Sequence, residues 1–209
     1  MSVKIHALVL GATGLVGKAL VEQLLVDERY ETITCLLRKP LSRQLFNNQQ
    51  AKLQPIVIDF ERLQEYQGYF GAQHIYVCLG TTIKQAGSRA AFRKVDFEYV
   101  HIAAQLARAQ RALSFVWISS VGANAKSRSF YLRVKGELEN AIMAMSGLPQ
   151  SSAVRPSLLL GERKEQRFAE TLAANIASFI SPVFKGKLAK YRPVHAAEVA
   201  AQMIRLQQF

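Results

Sequence analysis

Acid is what this sequence is short of: 15 Asp and Glu stand against 27 Lys and Arg, a net charge of +12 over 209 residues. Cysteine is almost absent too. Cys35 and Cys78 are far apart and each lies in an apolar segment, which excludes a disulfide framework and reads as two buried thiols in a reducing, cytoplasmic setting. No apolar run approaches the roughly 20 residues of a membrane span, and MSVKIHALVLG reads as a first strand, not a signal peptide. His6, His74, His101 and His195 show no ligand spacing, so no metal is expected. Missing as well are internal repeats, low-complexity tracts, linkers and any block of five like charges. The densest basic cluster, Lys185, Lys187, Lys190 and Arg192, has little aromatic interleaving. It reads as a solvated face, and no specific nucleic-acid partner is expected. A chain of this length without a linker is one domain, residues 1–209, large enough for a core of its own.

What is there is alternation. Apolar runs at Lys4–Leu10, Thr32–Leu37, Leu53–Ile58, His74–Leu79, Ser114–Ser119, Ser151–Val154 and Lys190–Val194 alternate with helical patterns. The helices fall at Leu15–Val26, Ser88–Arg108, Phe130–Met145, Arg163–Phe179 and Ala196–Gln207. This order predicts an α/β fold: a Rossmann-like doubly wound parallel sheet, with about 150–209 contributing a small cap on the substrate side. Phe168, Phe179 and Phe184 read as core first and as a substrate-pocket wall second.

The turn between the first strand and first helix is GATGLVG. Gly11 suits the tight exit from the strand, Gly14 a close approach of pyrophosphate, and Gly17 packing of the helix. The helix N-terminus then offers free N–H groups to phosphate. A glycine-rich turn that binds nothing is the competing reading. A Walker loop is excluded, because Ala12 replaces its first glycine and Ala19 its hydroxyl. The second strand ends TCLLRKP, with Arg38 and Lys39 where an NAD-selective site places an acid. Two cations there suit a 2′-phosphate, and so NADP(H) over NAD.

SFVWISSVGA ends a strand with Ser119 and Ser120, and FYLRVKGELE opens a helix with Tyr131 and Lys135. A helical wheel puts Tyr131, Val134, Leu138, Ile142 and Met145 on one inward face, with Lys135 at its edge. An ammonium one turn from a phenol lowers the phenol pKa toward a range useful for proton transfer. A strand-end hydroxyl orients a carbonyl or alcohol oxygen beside it.

These motifs resemble the short-chain dehydrogenase/reductase superfamily in its extended or atypical branch. CLGTT (78–82), RKVDFEYV (93–100), ISSVGA (118–123), FYLRVKGELE (130–139) and RPSLL (155–159) are similar, more narrowly, to small NADPH-binding oxidoreductases related to the Tat-interacting protein. The resemblance implies Tyr131 as acid/base, Lys135 on the nicotinamide ribose, and Ser120, with Ser119 as fallback, orienting substrate. It implies a cofactor cradle of Gly11, Ala12, Thr13, Gly14, Leu15 and Val16, with Asp59 and Phe60 toward the adenine. Leu79, Gly80, Thr81 and Ser119 would line the cofactor, and Pro156 with Leu158 would back the nicotinamide. One position departs from the pattern: Asp96 stands where the superfamily often has asparagine. The implied activity is NADPH-dependent hydride transfer to or from a small carbonyl or alcohol substrate, in a protein compatible with a homodimer. A regulatory protein that senses NADP(H) with little turnover is the alternative. The short chain favours the sensor, and the intact Ser, Tyr and Lys favour the enzyme.

Overall fold

Strands that are apolar along their whole length need cover on both faces, and the computed structural model supplies it. It describes residues 4–42, 45–46, 51–148, 150–157, 159–160 and 193–207. β1 (Ile5–Leu10), β2 (Tyr30–Leu37), β3 (Leu53–Val57), β4 (His74–Val77), β5 (Ser114–Ile118) and β6 (Gln150–Val154) form one parallel sheet in the order β3-β2-β1-β4-β5-β6. One face carries α1 (Leu15–Val26) and α6 (Ala196–Arg205), whose Leu20, Leu24, Val199 and Met203 pack with Val9, Ile33 and Cys35 of the sheet. The other carries α4 (Tyr99–Ala109) and α5 (Phe130–Met143), whose Ala103, Ala107, Leu138 and Ile142 pack with Leu8, Leu10, Val77 and Trp117. Helices on both faces and this strand order make the expected doubly wound Rossmann-like fold. Between β1 and β4 the crossovers change direction, which opens a crevice at the carboxyl ends of those strands.

Several local features differ from expectation. The long helix expected at Ser88–Arg108 is α3 (Arg89–Arg93), a π-helical turn (Lys94–Glu98) and α4. Ahead of it lies α2 (Ile83–Ala86), capped by the Thr82 hydroxyl. Phe60–Gly71 is a kinked 3₁₀ segment, started by Asp59, whose carboxylate accepts from the Glu61 amide at 2.9 Å. β7 (Leu159–Leu160) and β8 (Val194–His195) pair in parallel as a second small sheet. Of the expected cap, 161–192 lies outside the described residues, and with it Phe168, Phe179, Phe184, the helix Arg163–Phe179 and the basic cluster. α6 joins the core against α1 because Ala196, Val199, Ala200 and Met203 form one apolar face.

At the amino-terminal end of the sheet a buried polar network ties distant segments together. The Tyr30 hydroxyl lies 2.8 Å from His74 Nδ1 and 2.7 Å from the Tyr76 hydroxyl. Gln207, just beyond α6, accepts from the Ser114 hydroxyl and donates to the Ile75 carbonyl at 3.4 Å. Burial pushes the Tyr30 phenol up to about 12 and raises Tyr76 as well. Burial likewise raises both thiols, Cys35 to about 12.

Candidate active site

At the opposite end of the sheet the polar groups surround a space. A cavity of about 650 Å³ lies at the carboxyl ends of β1, β4 and β5, bounded by α1, the loop after β4 and α5. That volume suits a cofactor-sized ligand. Of the expected residues, Gly14, Leu15, Val16, Leu79, Gly80, Thr81, Ser119, Ser120, Tyr131, Lys135 and Pro156 line it. Gly11, Ala12 and Thr13 build the turn beside it. Arg38, Lys39 and Asp59 are exposed beyond the ends of β2 and β3, while the Phe60 ring is buried against Tyr99, centroids 5.6 Å apart. Any adenine contact from Phe60 therefore falls to its backbone. Leu158 lies outside the described residues. Lining residues that the sequence did not single out for the site include Lys84, Gln85 and Ser157.

The three glycines of the turn separate into two kinds. Gly11 has φ +85°, and a Cβ there would meet the Cys78 carbonyl at 2.6 Å. A Cβ on Gly17 would sit 2.1 Å from the Gly11 carbonyl oxygen. Both are required by the fold. Gly14 is not: its Cβ would meet only the Gly11 oxygen, at 3.4 Å, and otherwise project into open space. Gly14 also begins α1, with no side-chain cap on the helix and no acid in its first turn. Uncapped N–H groups and a missing Cβ at a cavity wall are what an approaching phosphate needs. A further glycine, Gly136, carries no signal in the sequence. Its Cβ would lie 2.3 Å from the Ala125 nitrogen, so its absence lets α5 settle on the loop after β5 and brings Tyr131 and Lys135 to the cavity.

Lys135 is 2% exposed and Asp96 1%, and their Nζ and Oδ1 stand 2.8 Å apart. The second Asp96 oxygen accepts from the Thr81 amide at 2.9 Å, and Lys135 also reaches the Ile118 carbonyl at 3.4 Å. One Asp96 oxygen thus faces the Lys135 ammonium as an ion pair while the other accepts a hydrogen bond, and both contacts favour the carboxylate. Burial disfavours the Lys135 ammonium, yet the facing Asp96 and Tyr131 hold its pKa above the ordinary value. Burial pushes Asp96 up against the opposing pull of Lys135 and the Thr81 amide.

Tyr131 corrects one expectation. Its ring packs on buried Phe92, centroids 5.6 Å apart, and its phenol is raised from the usual range, not lowered. Burial is the largest cause. Lys135 and a hydrogen bond with Ser120 favour the phenolate, and Asp96 works against them. The lowering expected from Lys135 is outweighed by burial together with the Asp96 charge.

Ser119 differs from Ser120. Its hydroxyl is buried on the cavity wall and has no hydrogen-bond partner among the described residues. A buried orphan costs about 1–3 kcal/mol unless something satisfies it. An NAD(P)H molecule fits this donor set: open N–H groups for its phosphates, and Ser119 and Lys135 for its polar edges.

Comparisons with known proteins agree with that fit. Residues 11–178 match the model of a family described as NAD(P)H-binding. The rat protein HTATIP2 (Rattus norvegicus) is 36% identical over 168 residues, covering 79% of this chain and 67% of its own. "Protein FMP52-1, mitochondrial" of Scheffersomyces stipitis is 32% identical over 203 residues, covering 93% and 84%. Among solved structures, MoeE5 in complex with UDP-glucose and NAD superposes with a TM-score of 0.71. It is 14% identical and covers 97% of this chain and 72% of its own, a likeness of fold alone. One expectation is overturned: the cytoplasmic placement does not stand, because the yeast relatives, those of Debaryomyces hansenii and Candida albicans included, are named as mitochondrial.

Proposed function

The chain belongs to the NAD(P)H-binding family, as an atypical short-chain dehydrogenase/reductase, and from that premise we propose that it is an NADPH-dependent oxidoreductase acting on a small carbonyl or alcohol. Ser120 orients the reacting oxygen, Tyr131 exchanges a proton with it, and Lys135 holds the cofactor's ribose. When bound, the cofactor supplies or accepts the hydride, and the protein contributes position, polarity and the proton. The observation that carries this reading is convergence: Ser120, Tyr131 and Lys135 come from a strand end and a helix, yet share one cavity with the unopposed Gly14. Exposed Arg38 and Lys39 at the end of β2, with no acid there, support NADPH over NADH.

A panel of aldehydes, ketones and quinones screened for NADPH oxidation tests the reading. Tyr131→Phe keeps the ring on Phe92 and removes the proton donor. Turnover should fall roughly 10²–10⁴-fold, with NADPH affinity nearly unchanged. Equal turnover by the variant overturns the role of Tyr131. Tight NADPH binding with no turnover of any compound moves the protein to the sensor class.

A further inference from the structure

Two opposite charges buried together beside a proton donor do not act on it as either would alone. We propose that Asp96 is a positioning residue that closes Lys135 into a dry ion pair and thereby keeps Tyr131 a protonated donor, so that the site works in the direction of carbonyl reduction. The direction rests on the oxidoreductase reading above; the charge arrangement does not.

The geometry is specific. Asp96 sits in the π-helical turn between α3 and α4, a wider turn of the kind often found at functional sites. It points inward to Lys135 at 2.8 Å, and its other oxygen is fixed by the Thr81 amide at 2.9 Å. One carboxylate thus joins the loop after β4, the π turn and α5. Burial disfavours the Lys135 ammonium, and Asp96, Tyr131 and Glu139 together keep it charged. Asp96 then opposes the field that this ammonium exerts on its surroundings. At the distance of a side chain one helical turn away, about 5–6 Å between Cβ atoms, Asp96 opposes the pull that Lys135 exerts on the phenol.

The charged groups on the surrounding elements are paired with one another or exposed. On α5, Glu139 is taken by Arg155, at 2.8 and 2.5 Å. Glu137 pairs with Arg93 at 2.5 Å. α3 presents the Phe92 ring. Ser120, at the end of β5, favours the phenolate by one hydrogen bond, and Lys84 on α2 is exposed on the cavity wall. Burial and Asp96 win over Ser120 and Lys135, and the phenol stands above its ordinary value.

A phenol held above its ordinary value is at most about one-thousandth ionised at pH 7. Reduction uses the abundant form. With the cofactor bound to supply a hydride to the carbonyl carbon, Tyr131 would give its proton to the carbonyl oxygen, and the phenolate left behind would take a proton back from water. Oxidation of an alcohol must begin from the scarce phenolate, so its rate should keep rising with pH past 10.

Tyrosine labelled with ¹³C at Cζ gives a direct test that needs neither cofactor nor substrate, the Tyr131 signal being assigned by its loss in Tyr131→Phe. In wild type that signal should not titrate below pH 10. In Asp96→Asn the midpoint should fall by about a unit or more, as a nearby unopposed cation dictates. A wild-type midpoint below 10, or an unchanged midpoint in folded Asp96→Asn, overturns the proposal. Should Asp96→Asn not fold, the neutral double variant Asp96→Asn/Lys135→Gln decides. It should titrate like wild type if the two charges cancel, and clearly higher if Lys135 dominates, which overturns the proposal. With a substrate in hand, the alkaline limb of alcohol oxidation should move down with the Tyr131 midpoint in Asp96→Asn, and a limb that stays put overturns the directional claim. Expected titrations with no turnover of any carbonyl would sink the enzyme reading and leave the charge assignment standing.

Discussion

The two ends of the central sheet bury polar side chains in opposite ways. At the amino-terminal end Tyr30, His74, Tyr76, Ser114 and Gln207 find one another. At the carboxyl end Asp96 and Lys135 pair, but Ser119 has no partner among the described residues and Tyr131 faces a cavity. The same strands β4 and β5 run through both. Polar groups that satisfy each other hold a fold together; polar groups aimed at a space await a ligand. The comparison assigns stability to the lower end and chemistry to the upper.

The glycine turn offers the sharpest way to break this division, because two of its positions should answer differently. Gly17→Ala drives a methyl into the Gly11 carbonyl and should cost roughly 1–3 kcal/mol or more by overpacking, read as a lower midpoint in urea. Gly14→Ala should leave that midpoint nearly unchanged and weaken NADPH, since the added carbon points where the cofactor approaches. Loss of stability at both positions would return the turn to a purely structural role.

Tyr30→Phe probes the lower end. Removing the hydroxyl that His74 and Tyr76 share should cost about 1–3 kcal/mol and leave NADPH affinity alone. The network also predicts a pH dependence. Tyr30 is raised to about 12 in the folded chain, against about 10 when unfolded. Between these values the folded state holds the proton that the unfolded state releases. Its contribution is therefore complete below pH 10 and is lost as pH rises toward 12. Thermal midpoints should fall over that window, less steeply in Tyr30→Phe.

The smallest effect belongs to the edge of the upper end. Arg38→Glu should weaken NADPH by about tenfold or more, the scale of one lost charge-assisted contact, and leave NADH little changed. Parallel losses for both nucleotides would remove the basis for NADPH preference.

Much of this was legible in the sequence because it is local. The strand–turn–helix around GATGLVG, the apolar strands and the inward face of α5 each declare themselves within a few residues. The rest depends on contacts between distant segments. RKVDFEYV keeps a helical pattern straight through the π turn, and only Lys135, on another helix, shows where Asp96 points. Tyr30, His74 and Gln207 meet from three separate parts of the chain, with no spacing to announce it. The acidity of Tyr131 is hidden for the same reason, since burial and a second charge are tertiary facts.

Thermal unfolding with and without NADPH tests the division between the two ends most directly. At 100 times its Kd a ligand adds about 2.7 kcal/mol, or about 5–10 °C for a chain of this size. Wild type and Tyr30→Phe should both gain that protection, the latter from a lower starting midpoint, while Gly14→Val should start near the wild-type midpoint and gain almost none. No protection of wild type, or equal protection of Gly14→Val, would contradict a cofactor site at the carboxyl end of the sheet.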